Sequence, residues 1–149
     1  MTLEELDQDL VALAEALRPA LLRASRHLRR EAQKAGVSAL DAQLLGVIAK
    51  HPGIGGGELA DVEQMSAPSM SVHLKRLEAV GWIVREPPRE DDRRRIGLKV
   101  TAEGRAALDS IRQRRNDWLA ARLMALTPKD RRALAAAAEP LLRLAGDRS

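Results

Sequence analysis

The sequence predicts a mainly α-helical fold with one small β-hairpin, and three observations carry that expectation. Apolar residues recur at steps of three and four over most of the chain. The period changes to alternation only within residues 83–100. Ser or Thr caps and glycines fall at the ends of the periodic segments, where helices start and stop. With 149 residues and 16.3 kDa, the chain is expected to form one domain over 1–149, since two full domains need more residues.

Leu3, Leu6, Leu10, Leu13, Leu17, Leu21, Ala24 and Leu28 form a helical stripe interrupted by Pro19. It reads as one long helix kinked near Arg18–Pro19, or as two short helices meeting there, ending at Gly36. Ser38 with Asp41 three residues on opens the next helix in capping-box fashion, and His51-Pro52-Gly53 stops it. The glycine-rich run 53–57 lacks the Lys-Ser/Thr and the preceding strand of a phosphate-binding loop, so it reads as a turn before a short helix, Glu58–Gln64. Ser66 caps a further helix with Pro68 in its first turn, running to about Val80 and ending at Gly81. Ile83 and Val84, then the alternating Ile96–Val100, predict two strands joined by a charged loop. Thr101 caps a long helix to about Leu126, and Thr127-Pro128 opens the last one, to about Ala145.

Composition removes several classes of function. There is no Cys, which excludes disulfides, thiolate chemistry and Cys-based zinc sites. There is no Phe or Tyr, and Trp82 and Trp118 are the only two Trp, which argues against modules that stack RNA bases on several aromatics. Apolar stretches fall well short of the ~18 residues of a membrane span. The first 17 residues are acidic, unlike a secretory signal or transit peptide, so a cytoplasmic chain without a membrane partner is expected.

The net charge of +4 and pI of about 10.1 weakly favour an anionic partner, and the distribution says more. Residues 1–17 hold five acids and no base; residues 18–34 hold six bases against Glu31. Residues 85–99 hold six bases and four acids, including the run Arg93-Arg94-Arg95.

Two close helices, a sharp turn and a charged hairpin follow the order of a winged helix-turn-helix. Residues placed at 100° intervals put Ser66, Met70, Leu74 and Leu77 on the inward face of the second helix. Pro68, Ser69, Val72, Lys75, Arg76 and Ala79 face outward, with Ser71 and His73 on the flanks. Small residues at the start let a helix N-terminus enter the major groove of double-stranded DNA, while Lys75 and Arg76 reach phosphates. Val72, apolar and outward-facing, suits a thymine methyl group. An ordinary solvated face satisfies the same pattern. At the hairpin tip, acids can fix neighbouring arginines by pairing, so that one guanidinium of Arg93, Arg94 or Arg95 projects toward a minor groove. A salt-bridged surface loop is the plain alternative.

Glu58-Leu59-Ala60, Pro68-Ser69-Met70-Ser71 and Leu77-Glu78-Ala79-Val80-Gly81-Trp82-Ile83 resemble the helix-turn-helix of the MarR (multiple antibiotic resistance regulator) family. Asp92-Arg93-Arg94-Arg95-Ile96-Gly97-Leu98-Lys99-Val100-Thr101-Ala102-Glu103-Gly104 is similar to its wing signature, with Val100 where the family has Leu. The resemblance spans Pro19 to Leu144, and residues 1–17 read as an extension. It implies a homodimer joined by helices of 1–36 and 102–149, with a winged domain at 38–101 and its wing at 83–100. It further implies that Asp92 braces the wing, that Arg94 enters the minor groove, and that Ser69, Val72, His73 and Arg76 touch DNA. Such proteins usually repress promoters from palindromic sites and often release DNA when a small ligand binds. Dimerisation also follows from the long apolar stripes of the terminal helices, which a small winged core cannot cover.

The expected interface is therefore Ser69, Ser71, Val72, His73, Lys75 and Arg76 on the helix, and Asp92, Arg93, Arg94 and Arg95 on the wing. No catalytic residue, cofactor or metal is expected. His27, His51 and His73 are scattered without a Ser or Asp partner at readable spacing, which disfavours an enzyme. A metal-sensing regulator of another family lacks its His-x-x-x-His pair and cysteines. A helical protein-binding adaptor explains the helices but not the arginine cluster. Met65, Met70 and Met124 read as packing residues; Trp118 lines either a pocket or the dimer core.

Overall fold

The structure, a computed structural model, describes residues 1–87 and 96–146. Helices α1 (Leu3–Lys34) and α2 (Ala39–Lys50) are followed by β1 (Ile54–Gly55), α3 (Gly56–Val62) and α4 (Ala67–Ala79). Strands β2 (Ile83–Glu86) and β3 (Gly97–Val100) then precede α5 (Ala102–Met124) and α6 (Pro128–Leu144). The chain divides into two compact units, Met1–Arg114 and Arg115–Ser149.

In the first unit, α1 is a single helix of 32 residues. Thr2 and Glu5 cap it reciprocally: Glu5 N–H donates to Thr2 Oγ1 at 3.2 Å, and Thr2 N–H donates to Glu5 Oε2 at 2.7 Å. The Thr2 backbone N–H foremost, and its hydroxyl, hold the Glu5 carboxyl below its ordinary value. Pro19 lies inside α1 without dividing it. Proline removes one backbone donor, and the Leu-, Ala- and Arg-rich turns on both sides favour helix enough to carry the chain through. Residues 3–17 are thus part of α1 rather than a separate extension. The helix ends where Gly36 adopts φ +78°, a left-handed conformation that glycine takes without strain.

The expected hairpin forms from β2 and β3, and β1 joins it on the far side of β3, giving a three-stranded antiparallel sheet in the order β1-β3-β2. The added strand is the glycine-rich segment read as a turn. Ile54 pairs with Leu98, and Gly53 N–H donates to the Leu98 carbonyl at 2.8 Å. A two-residue strand offers no alternation to detect. The close approach depends on Gly97, whose missing Cβ would lie 3.1 Å from Gly53 Cα. Helix α3 consequently starts at Gly56, two residues before the expected Glu58.

Leu44, Leu45 and Ile48 of α2 meet Leu59 of α3, Leu74 and Leu77 of α4, Ile83, Leu98 and Leu108 in one core. A second cluster joins Ala32, Val37, Ala42 and Ile111. Trp82 packs against both. Of the methionines, Met70 is buried and Met65 packs against the core as expected. Met124 is 78% exposed, so it is not a packing residue within the chain. Among the described residues no helix is long and apolar enough to cross a membrane.

In the second unit, Thr127 Oγ1 accepts Asp130 N–H at 3.2 Å and caps α6, which continues through Pro140. Arg122 stacks over the Trp118 ring at 4.4 Å.

The junction at Trp82 gives a direct test of packing. Thr101 N–H donates to the Trp82 carbonyl, and Thr101 Oγ1 accepts Gly104 N–H, both at 3.0 Å. A Cβ on Gly104 would lie 2.1 Å from that same carbonyl oxygen. Alanine ordinarily improves a helix by up to ~1 kcal/mol over glycine, but here the obstacle is backbone and no rotamer relieves it. Gly104→Ala is expected to destabilise the fold by about 1–3 kcal/mol, read as a lower urea midpoint at constant m. A stabilised variant would contradict this packing.

Candidate nucleic-acid interface

Helix α4 follows a tight reversal built from three local features. Gln64 takes φ +52°, alone among the described non-glycine residues. Met65 N–H then donates to the Ala60 carbonyl at 2.8 Å, closing the end of α3. Ser66 Oγ accepts Ser69 N–H at 3.3 Å, and Pro68 occupies the first turn, where its missing donor has no intrahelical partner to lose. Ser66 is exposed and serves as the cap, so it does not belong to the inward face on which the sequence placed it.

Met70, Leu74 and Leu77 are each no more than 2% exposed. Burying that stripe turns the opposite face outward. Pro68, Ser69, Val72, Lys75, Arg76 and Ala79 are all exposed, while Ser71 and His73 are half-buried on the flanks. Val72 is 64% exposed, an apolar branched side chain with little packing within the chain. The six expected helix residues Ser69, Ser71, Val72, His73, Lys75 and Arg76 are therefore gathered on one helix. The expected wing residues Asp92, Arg93, Arg94 and Arg95 lie outside the described residues.

The charged groups around this face are ordered by partners on other elements. Arg76 Nη2 pairs with Asp41 Oδ1 of α2 and lies 3.0 Å from His73 Nδ1. A guanidinium only donates, so in this contact His73 Nδ1 is the acceptor. At the other end of α4, Arg85 Nε of β2 donates to Glu78 Oε2 at 3.0 Å. Lys99 Nζ of β3 meets Glu86 Oε1 of β2 at 2.8 Å, bracing the strands that lead to residues 88–95. Gln43 of α2 donates to Glu63, which follows α3.

Sequence reasoning missed Asp41. Its position three residues after Ser38 suggests a reciprocal cap, and half of that cap forms: Ser38 Oγ accepts Asp41 N–H at 3.0 Å. The carboxylate instead crosses to Arg76, 35 residues away, a separation that no local pattern encodes. Among the described residues no group of three or more His, Asp or Glu side chains is placed to hold a metal ion.

Comparison with known proteins gives this arrangement a context. A sequence model of the MarR family matches residues 35–95, which cover α2 to the hairpin. An uncharacterised HTH-type transcriptional regulator of Mycobacterium leprae is 32% identical over 139 residues, covering 93% of this chain and 96% of its own length. The crystal structure of a Pseudomonas aeruginosa protein described as a transcriptional regulator is 33% identical, with a TM-score of 0.76 over 95% of this chain and 98% of its own. A point mutant of Staphylococcus aureus MepR bound to an oligodeoxyribonucleotide shares the fold at 16% identity, with a TM-score of 0.67 over 88% of this chain and 96% of its own.

The start of α4 sets where its outward face begins. Ser66→Ala removes the cap and is expected to cost about 0.5–2 kcal/mol. Faster amide exchange should appear in the first turn of α4 and nowhere in α2. Unchanged protection there would remove Ser66 from this role.

Proposed function

This chain belongs to the MarR family of HTH-type transcriptional regulators, and from that premise we propose that it binds duplex DNA as a homodimer and acts as a ligand-responsive repressor. The observation that carries the reading is the outward face of α4, small at its start, basic at Lys75 and Arg76, with Val72 exposed between them. A helix of that profile enters the major groove by its N-terminal half. Ser69, Ser71, Val72 and His73 meet base edges and the groove wall, Lys75 meets phosphates, and Arg76 approaches the duplex beside it. By the family resemblance, Asp92, Arg93, Arg94 and Arg95 also act at the duplex, Arg94 in the minor groove. The MepR mutant solved with an oligodeoxyribonucleotide, which shares this fold, supports DNA as the partner.

Dimerisation is the second part of the reading. Leu6, Leu10, Leu13 and Leu21 of α1 and Leu134, Leu142 and Leu144 of α6 are each at least 40% exposed. Helices with such stripes are stable in water when a partner covers them, and a second copy covers them symmetrically. The two α4 helices of such a dimer address two half-sites of one palindrome. A small molecule bound to the dimer releases the DNA by favouring another spacing of the half-site readers. As a regulator of DNA, the chain acts in the cytoplasm and does no catalysis.

A salt titration of duplex binding tests the reading. Each phosphate neutralised contributes a log–log slope of about −0.9, so two subunits using several Lys and Arg each give a slope of several units. A slope near zero, or no binding to any duplex at low salt, would contradict it. Val72→Ser should relax preference at one T·A pair by about 1–3 kcal/mol at most, measured by competition among single-base variants of the bound duplex. The same base profile in variant and parent would take Val72 out of the readout.

A further inference from the structure

Arg76 is the one cation of the α4 outward face whose charge is met, among the described residues, by a carboxylate on another element. Its side chain is 47% exposed, whereas that of Asp41 is 11% exposed. Asp41 is set rigidly: it lies in the first turn of α2, its N–H is held by Ser38, and its neighbours Leu44 and Leu45 are core residues. The guanidinium carries five N–H groups. Its two Nη2 hydrogens serve Asp41 and His73, and Nη1 and Nε keep three for other acceptors. A planar fork fastened at one corner presents its remaining edge in a single orientation.

From this we propose that Asp41 is a positioning residue for sequence discrimination, acting through Arg76. The proposal rests on the DNA-binding reading above. Two consequences follow from the pair. The fixed guanidinium makes directional hydrogen bonds only where acceptors on the duplex fall in its plane. Its charge is also offset by Asp41, so it adds little to the sequence-independent attraction that every duplex exerts on a free cation. Lys75, one position away and exposed, has no such carboxylate partner among the described residues and supplies that general attraction. The two neighbouring cations thus divide the work, Arg76 discriminating and Lys75 adhering.

The experiment uses the full chain, a duplex that the parent protein enriches from a randomised pool, and a shuffled duplex of the same composition. Asp41→Asn keeps the size of the side chain and its backbone cap, and removes the negative charge that offsets and holds Arg76. We expect the ratio of affinities for the two duplexes to fall at least tenfold. Binding to the shuffled duplex should hold or tighten, with a salt slope steeper by up to about two units for two subunits. Parallel weakening on both duplexes with an unchanged slope would mean a merely structural role and would overturn the proposal. Arg76→Lys, which leaves α2 intact, reads the same point should Asp41→Asn fold poorly. It keeps the charge and loses the fork, so the ratio falls while the slope stays; an unchanged ratio overturns the proposal. If the parent chain binds no duplex at all, the DNA reading falls and the proposal with it. If the parent discriminates and the variants discriminate equally, the proposal alone falls.

Discussion

Everything that α4 can present to a partner is set by the face it must hide. Met70, Leu74 and Leu77 lie on one stripe and are almost fully buried. Each contributes about 1.5–3 kcal/mol when removed from water, so a rotation of the helix by one residue would expose that stripe and is strongly disfavoured. The outward set from Pro68 to Ala79 is therefore a consequence of core packing. Function at this surface needs no flexibility in α4; it needs the core to stay closed.

The same packing is carried onward through Trp82. Its N–H donates to the Leu77 carbonyl at the end of α4, and its carbonyl accepts from Thr101 at the start of α5, both at 3.0 Å. Gly104 is required because α5 begins against that carbonyl. One residue thus fastens the end of α4, the root of the hairpin and the first turn of α5. It also packs against both core clusters, one built on α2 and α4 and the other on α1, α2 and α5. The first turn of α5 thus has a short covalent and hydrogen-bonded connection to the end of α4.

Much of this was legible in the sequence for local reasons. Helix caps at Ser38, Ser66, Thr101 and Thr127 are read within four residues, and the two faces of α4 follow from 100° spacing. What was not legible depends on partners distant in the chain. Strand β1 exists because Gly97 lets Gly53 approach β3, and two residues carry no periodic signal. The Asp41 carboxylate looked like part of a cap because its true partner, Arg76, is remote in sequence. Pro19 left one kinked helix and two short ones both open because its local cost is plain, whereas the favourable turns on either side, which keep α1 single, act collectively. Met124 looked like packing because apolar character does not say whether the covering surface is in the same chain. The hairpin strands were legible from alternation, while the arginines expected to act at its tip fall within residues 88–95 and lie outside the described residues.

The central claim is that two copies of this α4 face read one duplex at a spacing fixed by their dimer helices. Sedimentation of the chain with a palindromic duplex, set against the same duplex with about five base pairs inserted between half-sites, addresses it most directly, because half a helical turn puts the second site on the opposite side of the DNA. The account predicts two chains per palindromic duplex and a large loss of affinity on insertion. One chain per duplex, or equal affinity for both spacings, would contradict it.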